Sequence, residues 1–237
     1  EHSFKESLAI YAETGNELRL AHVLIEYSHC LFNRGNPAEA SAMAADAAGK
    51  FEKLGCWRDA VDLLVSSGKY GICFGDFLEA ASRLEQALKI SREIMYREGE
   101  ALAACGLAEI DLRSGDCRKS LERLQVAESY TREAKDHSLL AFCLTLQAEA
   151  HLADHCQGRA RACCIEALRI ADESGNEAAQ ASARVVFAKI TASEGDLEGA
   201  DKALNEAEET FRHLFRLSDA ARVADIRSSL SIRCPRS

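Results

Sequence analysis

Apolar residues recur along almost the whole chain at spacings of three, four and seven, as on the buried face of an α-helix. Leu24, Tyr27 and Leu31 form one such face, and Leu144, Ala148 and Leu152 another. Short polar turns interrupt the pattern. Gly35-Asn36, Gly75-Asp76, Gly115-Asp116 and Gly195-Asp196 fall at multiples of forty residues, and His155-Cys156 holds the remaining place as a degenerate copy. The spacing predicts antiparallel helix pairs, with a first helix over 17–34 and a second over 37–54, repeating every forty residues.

Small side chains keep the same frame. One column reads Ala40, Ala80, Ser120, Ala160, Ala200, and a second reads Ala47, Ala87, Ala127, Ala167, Ala207. Two more precede the turn: Ser28, Gly68, Ala108, Ala148, Ala188, Ser228, and Ala21, Val61, Ala101, Ala141, Ala181, Ala221. Helix backbones that approach closely need such residues at the contact, with larger neighbours filling the flanks. The turns carry matching chemistry. Asn36, Asp76, Asp116 and Asp196 stand where they would cap second helices, and Asn16, Asp136, Asn176 and Ser218 where they would cap first helices. Pro37 follows at the first helical position, where its missing N–H costs nothing. Glu39 and Glu79 sit three residues past their caps and predict capping boxes. Gly15, Gly55 and Gly175 mark the other turn as left-handed helix ends. Gly71, inside a helical stretch, predicts a bend between the first two repeats.

Stacked in order, such pairs give an all-α fold, a right-handed α-solenoid. No pair buries its apolar face alone, so 1–237 reads as one array. Residues 1–16 supply the second helix of a partial repeat, followed by repeats 17–56, 57–96, 97–136, 137–176 and 177–216. Residues 217–237 form a terminal helix, arginine-rich through Arg222, Arg227 and Arg233. The chain opens without Met, in what reads as the middle of a helix, so it is expected to be a piece of a longer polypeptide.

Composition narrows the function. Two prolines and 6% aromatic residues argue against an all-β domain. A net charge of −9 argues against a nucleic-acid or anionic-membrane surface. The longest nearly apolar stretch, Leu139-Leu140-Ala141-Phe142-Cys143-Leu144, is far too short to span a bilayer. The ten cysteines, Cys234 and vicinal Cys163-Cys164 among them, form no CxxC pair, and read as small buried hydrophobes in a reducing, cytoplasmic setting.

A small residue at the eighth position of a repeat, a turn glycine at the fifteenth, a small residue at the twentieth and Ala at the twenty-seventh are Ala108, Gly115, Ser120 and Ala127 in the third repeat. This resembles the tetratricopeptide repeat (TPR) family, with two departures. The unit is forty residues instead of the usual 34 or so. The eleventh position, aromatic in the family, holds Leu31, Gly71, Asp111, His151 and Thr191. Longer repeats of this kind are similar to those of MalT-type transcription regulators, the fifth subunit of the anaphase-promoting complex and the helical arms of signal-transducing ATPases.

The resemblance implies a protein–protein interaction scaffold whose first helices line a concave groove through positions two, five, nine, twelve and thirteen. On this chain the candidate partner-binding residues are His22, Ile25, His29, Phe32, Asp62, Lys69, Glu109, Arg113, Glu149 and Lys189. The fifth position reads Ile25, Val65, Cys105, Thr145, Val185, with no basic residue for the carboxylate clamp of chaperone-binding members. The mostly apolar lining suits a helix or extended peptide with an apolar stripe. Burial of much of that stripe against neighbouring helices is the competing reading. The competing function is a helical sensor arm of a larger signal-transducing NTPase or transcription regulator.

Candidates for chemistry are weak. His151, His155 and Cys156 would place three metal ligands together, but the glutamate of an HExxH motif is absent and His155 occupies the degenerate turn. Ser66-Ser67-Gly68-Lys69-Tyr70-Gly71 lacks the phosphate-loop spacing, and no strand precedes it. The expectation is a non-enzyme without cofactor or metal, binding a protein or peptide and neither nucleic acid nor membrane.

Overall fold

The computed structural model describes residues 2–230; Arg233 and Cys234, with the end of the expected terminal helix, lie outside them. Among the described residues twelve α-helices follow one another: α1 (His2–Glu13), α2 (Glu17–Asn33), α3 (Pro37–Lys53), α4 (Trp57–Phe74), α5 (Phe77–Glu93), α6 (Arg97–Arg113), α7 (Cys117–Ala134), α8 (His137–Ala153), α9 (Gln157–Glu173), α10 (Glu177–Ser193), α11 (Leu197–His213) and α12 (Leu217–Ser229). There is no strand among the described residues. The fold is an all-α solenoid of helix pairs.

Every turn is built the same way. A residue with positive φ recurs each twenty residues from Gly15 to Phe215. The next amide donates to the carbonyl five residues back, as Asn36 does to Leu31 and Asp196 to Thr191, so each helix from α1 to α11 closes in a Schellman-type cap. Seven of these positions are glycine, and Met95, Lys135, His155 and Phe215 take the same left-handed conformation without being glycine. Asp76, Asp116, Asp136, Asp196, Asn16 and Asn176 each accept a bond from the amide three residues on.

Three local expectations are corrected. The Asn36 side chain does not cap α3; its amide donates to Glu39 instead, 2.8 Å away. Glu79 turns to Arg83 rather than completing a capping box. The helix that follows Phe215 starts at Leu217 after Arg216, which places Ser218 in its first turn and not at its cap.

The small-residue columns are the helix contacts. Ala40, Ala80, Ser120, Ala160 and Ala200 are wholly buried, as are Ala47, Ala87, Ala127, Ala167 and Ala207. Ala221 and Ser228 break the rule and are exposed, because among the described residues no helix follows α12.

The chain divides into two compact units, Glu1–Ile110 and Asp111–Ser237. In the first, Phe51, Leu31, Ile72 and Leu84 are the largest fully buried side chains. A Cβ on Gly71 would meet the Ala80 side chain at 3.0 Å, so this glycine lets α4 approach α5 inside an unbroken helix. The hydroxyls of Ser41 and Ser67, both buried, gather under the Arg83 guanidinium. In the second unit, Leu124, Leu144, Ile190 and Leu204 fill the core. Asp111, nearly buried, is held by Arg123 at 2.8 Å and Lys119 at 3.0 Å. Arg227 ties α12 to α11 through Asp201, Asn205 and Glu208.

Candidate functional site

Each residue predicted to line the groove lies on a first helix, and the neighbours it meets decide what it can do. In the first unit several are already engaged. His22 sets its ring edge-on to Phe51 at 5.4 Å, and Phe32 stacks on Tyr70 at 4.4 Å. Asp62 accepts a hydrogen bond from the Tyr96 hydroxyl at 3.1 Å, while the Arg58 guanidinium lies over the same ring. Ile25 is half-buried against the core. His29 is exposed, and Lys69 and Glu109 are half-buried.

The fifth-position column differs from the lining the resemblance implied. Val65, Cys105, Thr145 and Val185 are buried, Cys105 completely. The fifth position is spent on packing, as the core places of Val65 and Val185 show.

The second unit gathers charge. Glu149 and Lys189, both at the ninth position and forty residues apart, form an ion pair between α8 and α10. Burial works to raise the Glu149 carboxyl, but Lys189 foremost, with Arg222 and Arg113, holds it below the ordinary carboxylate range. Beside the pair lies a pocket of about 350 Å³, bordered by Leu152, His155, Gln157, Lys189, Ser193, Ser229 and Leu230. It spans the first helices of three successive repeats, so α8, α10 and α12 each supply part of it. Arg222 and Leu230 escape the sequence list because α12 reads as a closing helix, not as part of a groove. Arg222 nevertheless occupies the same second position as His22, and that register was the available signal.

The other chemical candidates are placed apart or quenched. His155 sits exposed in its left-handed turn, and the Cys156 thiol faces Asp154 at 3.7 Å. The His151 Nδ1 is buried without a hydrogen-bond partner among the described residues. Its own burial, aided by Arg159, lowers its pKa. No group of three or more His, Cys, Asp or Glu side chains converges among the described residues as a metal cage would require. Burial pushes the Cys164 thiol up to about 12, far from the thiolate a redox site needs.

No protein-family model matches the chain. No curated protein sequence matches it. Solved structures do. The crystal structure of BtubC (BKLC) from P. vanneervenii superposes with a TM-score of 0.67 at 16% identity, covering 100% of this chain and 92% of that one. A crystal structure of a variant of a putative kinesin light chain from Podosopora anserina, with nearly identical TPR-like repeats, gives 0.58 at 15% identity over 82% of this chain and 96% of that one. At such identities the likeness speaks for the fold, which is that of TPR-like helical repeats.

Proposed function

We propose that the chain is a protein–protein interaction scaffold that holds a partner peptide or helix against the concave faces of its first helices. The observation that carries this reading is the second unit's pocket, which three consecutive first helices build jointly beside the Glu149–Lys189 pair. A stack of helix pairs offers long surfaces of this kind and holds them rigidly, which suits recognition of an extended or helical segment. The proposal assigns no catalytic residue, metal or cofactor to the chain.

A photo-crosslinking amino acid tests it. Placed at His29 or Ser193, exposed on first helices, it should join the chain to a partner; placed at Glu122 or Asn205, exposed on second helices, it should not. Crosslinks confined to second-helix positions would overturn the reading. A sensor arm of a larger NTPase or transcription regulator would use the same faces, and its crosslinks would fall on another part of its own polypeptide.

A further inference from the structure

Around Glu149 the second unit sets three cations against one carboxylate. The protein carries −9 overall, yet Lys189, Arg113 and Arg222 all bear on this single carboxylate. Lys189 has two roles at once, as partner of Glu149 and as part of the pocket rim. Across that pocket, Leu152 and Leu230 supply apolar wall, and Ser193 and Ser229 supply hydroxyls.

We propose that this face receives an acidic segment of a partner protein, with an aliphatic side chain seated between Leu152 and Leu230, and that Glu149 is an intramolecular competitor for it. The inference rests on the scaffold reading and names the partner's chemistry. In the free chain Glu149 occupies the Lys189 ammonium. An incoming carboxylate takes its place on Lys189, while Glu149 keeps the field of Arg113 and Arg222. The displacement therefore exchanges one ion pair for another without stranding a half-buried charge, which is what makes it possible at low cost. A neutral apolar peptide would fill the pocket but gain nothing from the cations. A basic one would meet the like charge of Lys189 at the rim, the kind of juxtaposition that excludes wrong partners.

The test uses the intact chain and three end-capped, fluorescein-labelled peptides of equal length that alternate leucine with Asp, Asn or Lys. Anisotropy titration should show the Asp–Leu peptide binding about tenfold or more tighter than the Asn–Leu peptide, with the Lys–Leu peptide weakest. Glu149→Gln should tighten the Asp–Leu peptide by about threefold or more and leave the Asn–Leu peptide unchanged. Arg222→Gln, at an exposed arginine, should weaken the Asp–Leu peptide alone, and circular dichroism confirms that each variant is folded. Equal binding of the Asp–Leu and Asn–Leu peptides, or loss of binding in Glu149→Gln, overturns the proposal. If no peptide binds while the His29 and Ser193 crosslinks still appear, the acidic-partner inference falls and the scaffold reading stands. If those crosslinks are absent, the scaffold reading falls, whatever the peptides do.

Discussion

Ser120 shows how a repeat supplies its own control. Its column is otherwise alanine, all five members are wholly buried, and its hydroxyl has no hydrogen-bond partner among the described residues. A buried polar atom left unpaired costs about 1–3 kcal/mol. Ser120→Ala should therefore stabilise the chain by about 1 kcal/mol, read as a rise in the urea midpoint. Ser67 is the opposite case, since its hydroxyl meets both the Ser41 carbonyl and Arg83. Met95 offers a second test. It is 85% exposed and holds the left-handed conformation that glycine takes at most of the equivalent turns. Met95→Gly removes the side-chain penalty but adds freedom to the unfolded chain, for a net gain of about 0.5 kcal/mol. Glu149 sets a pH dependence. Its folded pKa lies below the ordinary carboxylate value, so its contribution is full above the unfolded pKa and drains away as pH falls through the folded one. In Glu149→Gln the loss of stability on acidification should be shallower, measured as melting temperature against pH.

Among the elements, α12 depends most on one side chain. Arg227, with only 9% of its side chain exposed, bridges Asp201 and Glu208 across to α11. Removing the guanidinium leaves the half-buried Asp201 without its cation and Glu208 with Arg212 alone, so Arg227→Ala should cost about 3 kcal/mol. Hydrogen exchange should show α11 and α12 opening first; unchanged protection there would refute this role. The elements also show what the sequence exposes. Helix ranges were legible because glycine, asparagine and aspartate signal turns locally, and because alanine columns repeat in register. The positive φ of Met95, Lys135 and Phe215 was not, since nothing in those residue types announces it; the helix-closing hydrogen bonds and the twenty-residue period impose it. The burial of Val65, Cys105, Thr145 and Val185 was hidden for a different reason. An apolar side chain on a helix reads the same whether it lines a groove or fills a core, and only the neighbouring helix decides. The ion pair of Glu149 with Lys189 was hidden likewise, although its forty-residue spacing stood in the sequence.

At the scale of the molecule the question is whether the repeats unfold together. The boundary between the two units falls between Ile110 and Asp111, inside α6, which runs unbroken from Arg97 to Arg113. A boundary within a helix has no linker at which one part can melt without fraying the other. In a repeat array each repeat draws stability from its neighbours. We propose that the described repeats behave as one cooperative array. Trp57, the chain's single tryptophan, stands in α4 of the first unit and reports on that unit alone, whereas circular dichroism reports on every helix. In urea the two signals should share one midpoint. Arg227→Ala, far along the chain in the second unit, should lower the Trp57 midpoint together with the dichroism midpoint. A Trp57 transition that stays in place while the dichroism splits into two steps would mean that the units fold separately, and that α6 is a joint between them instead of a shared beam.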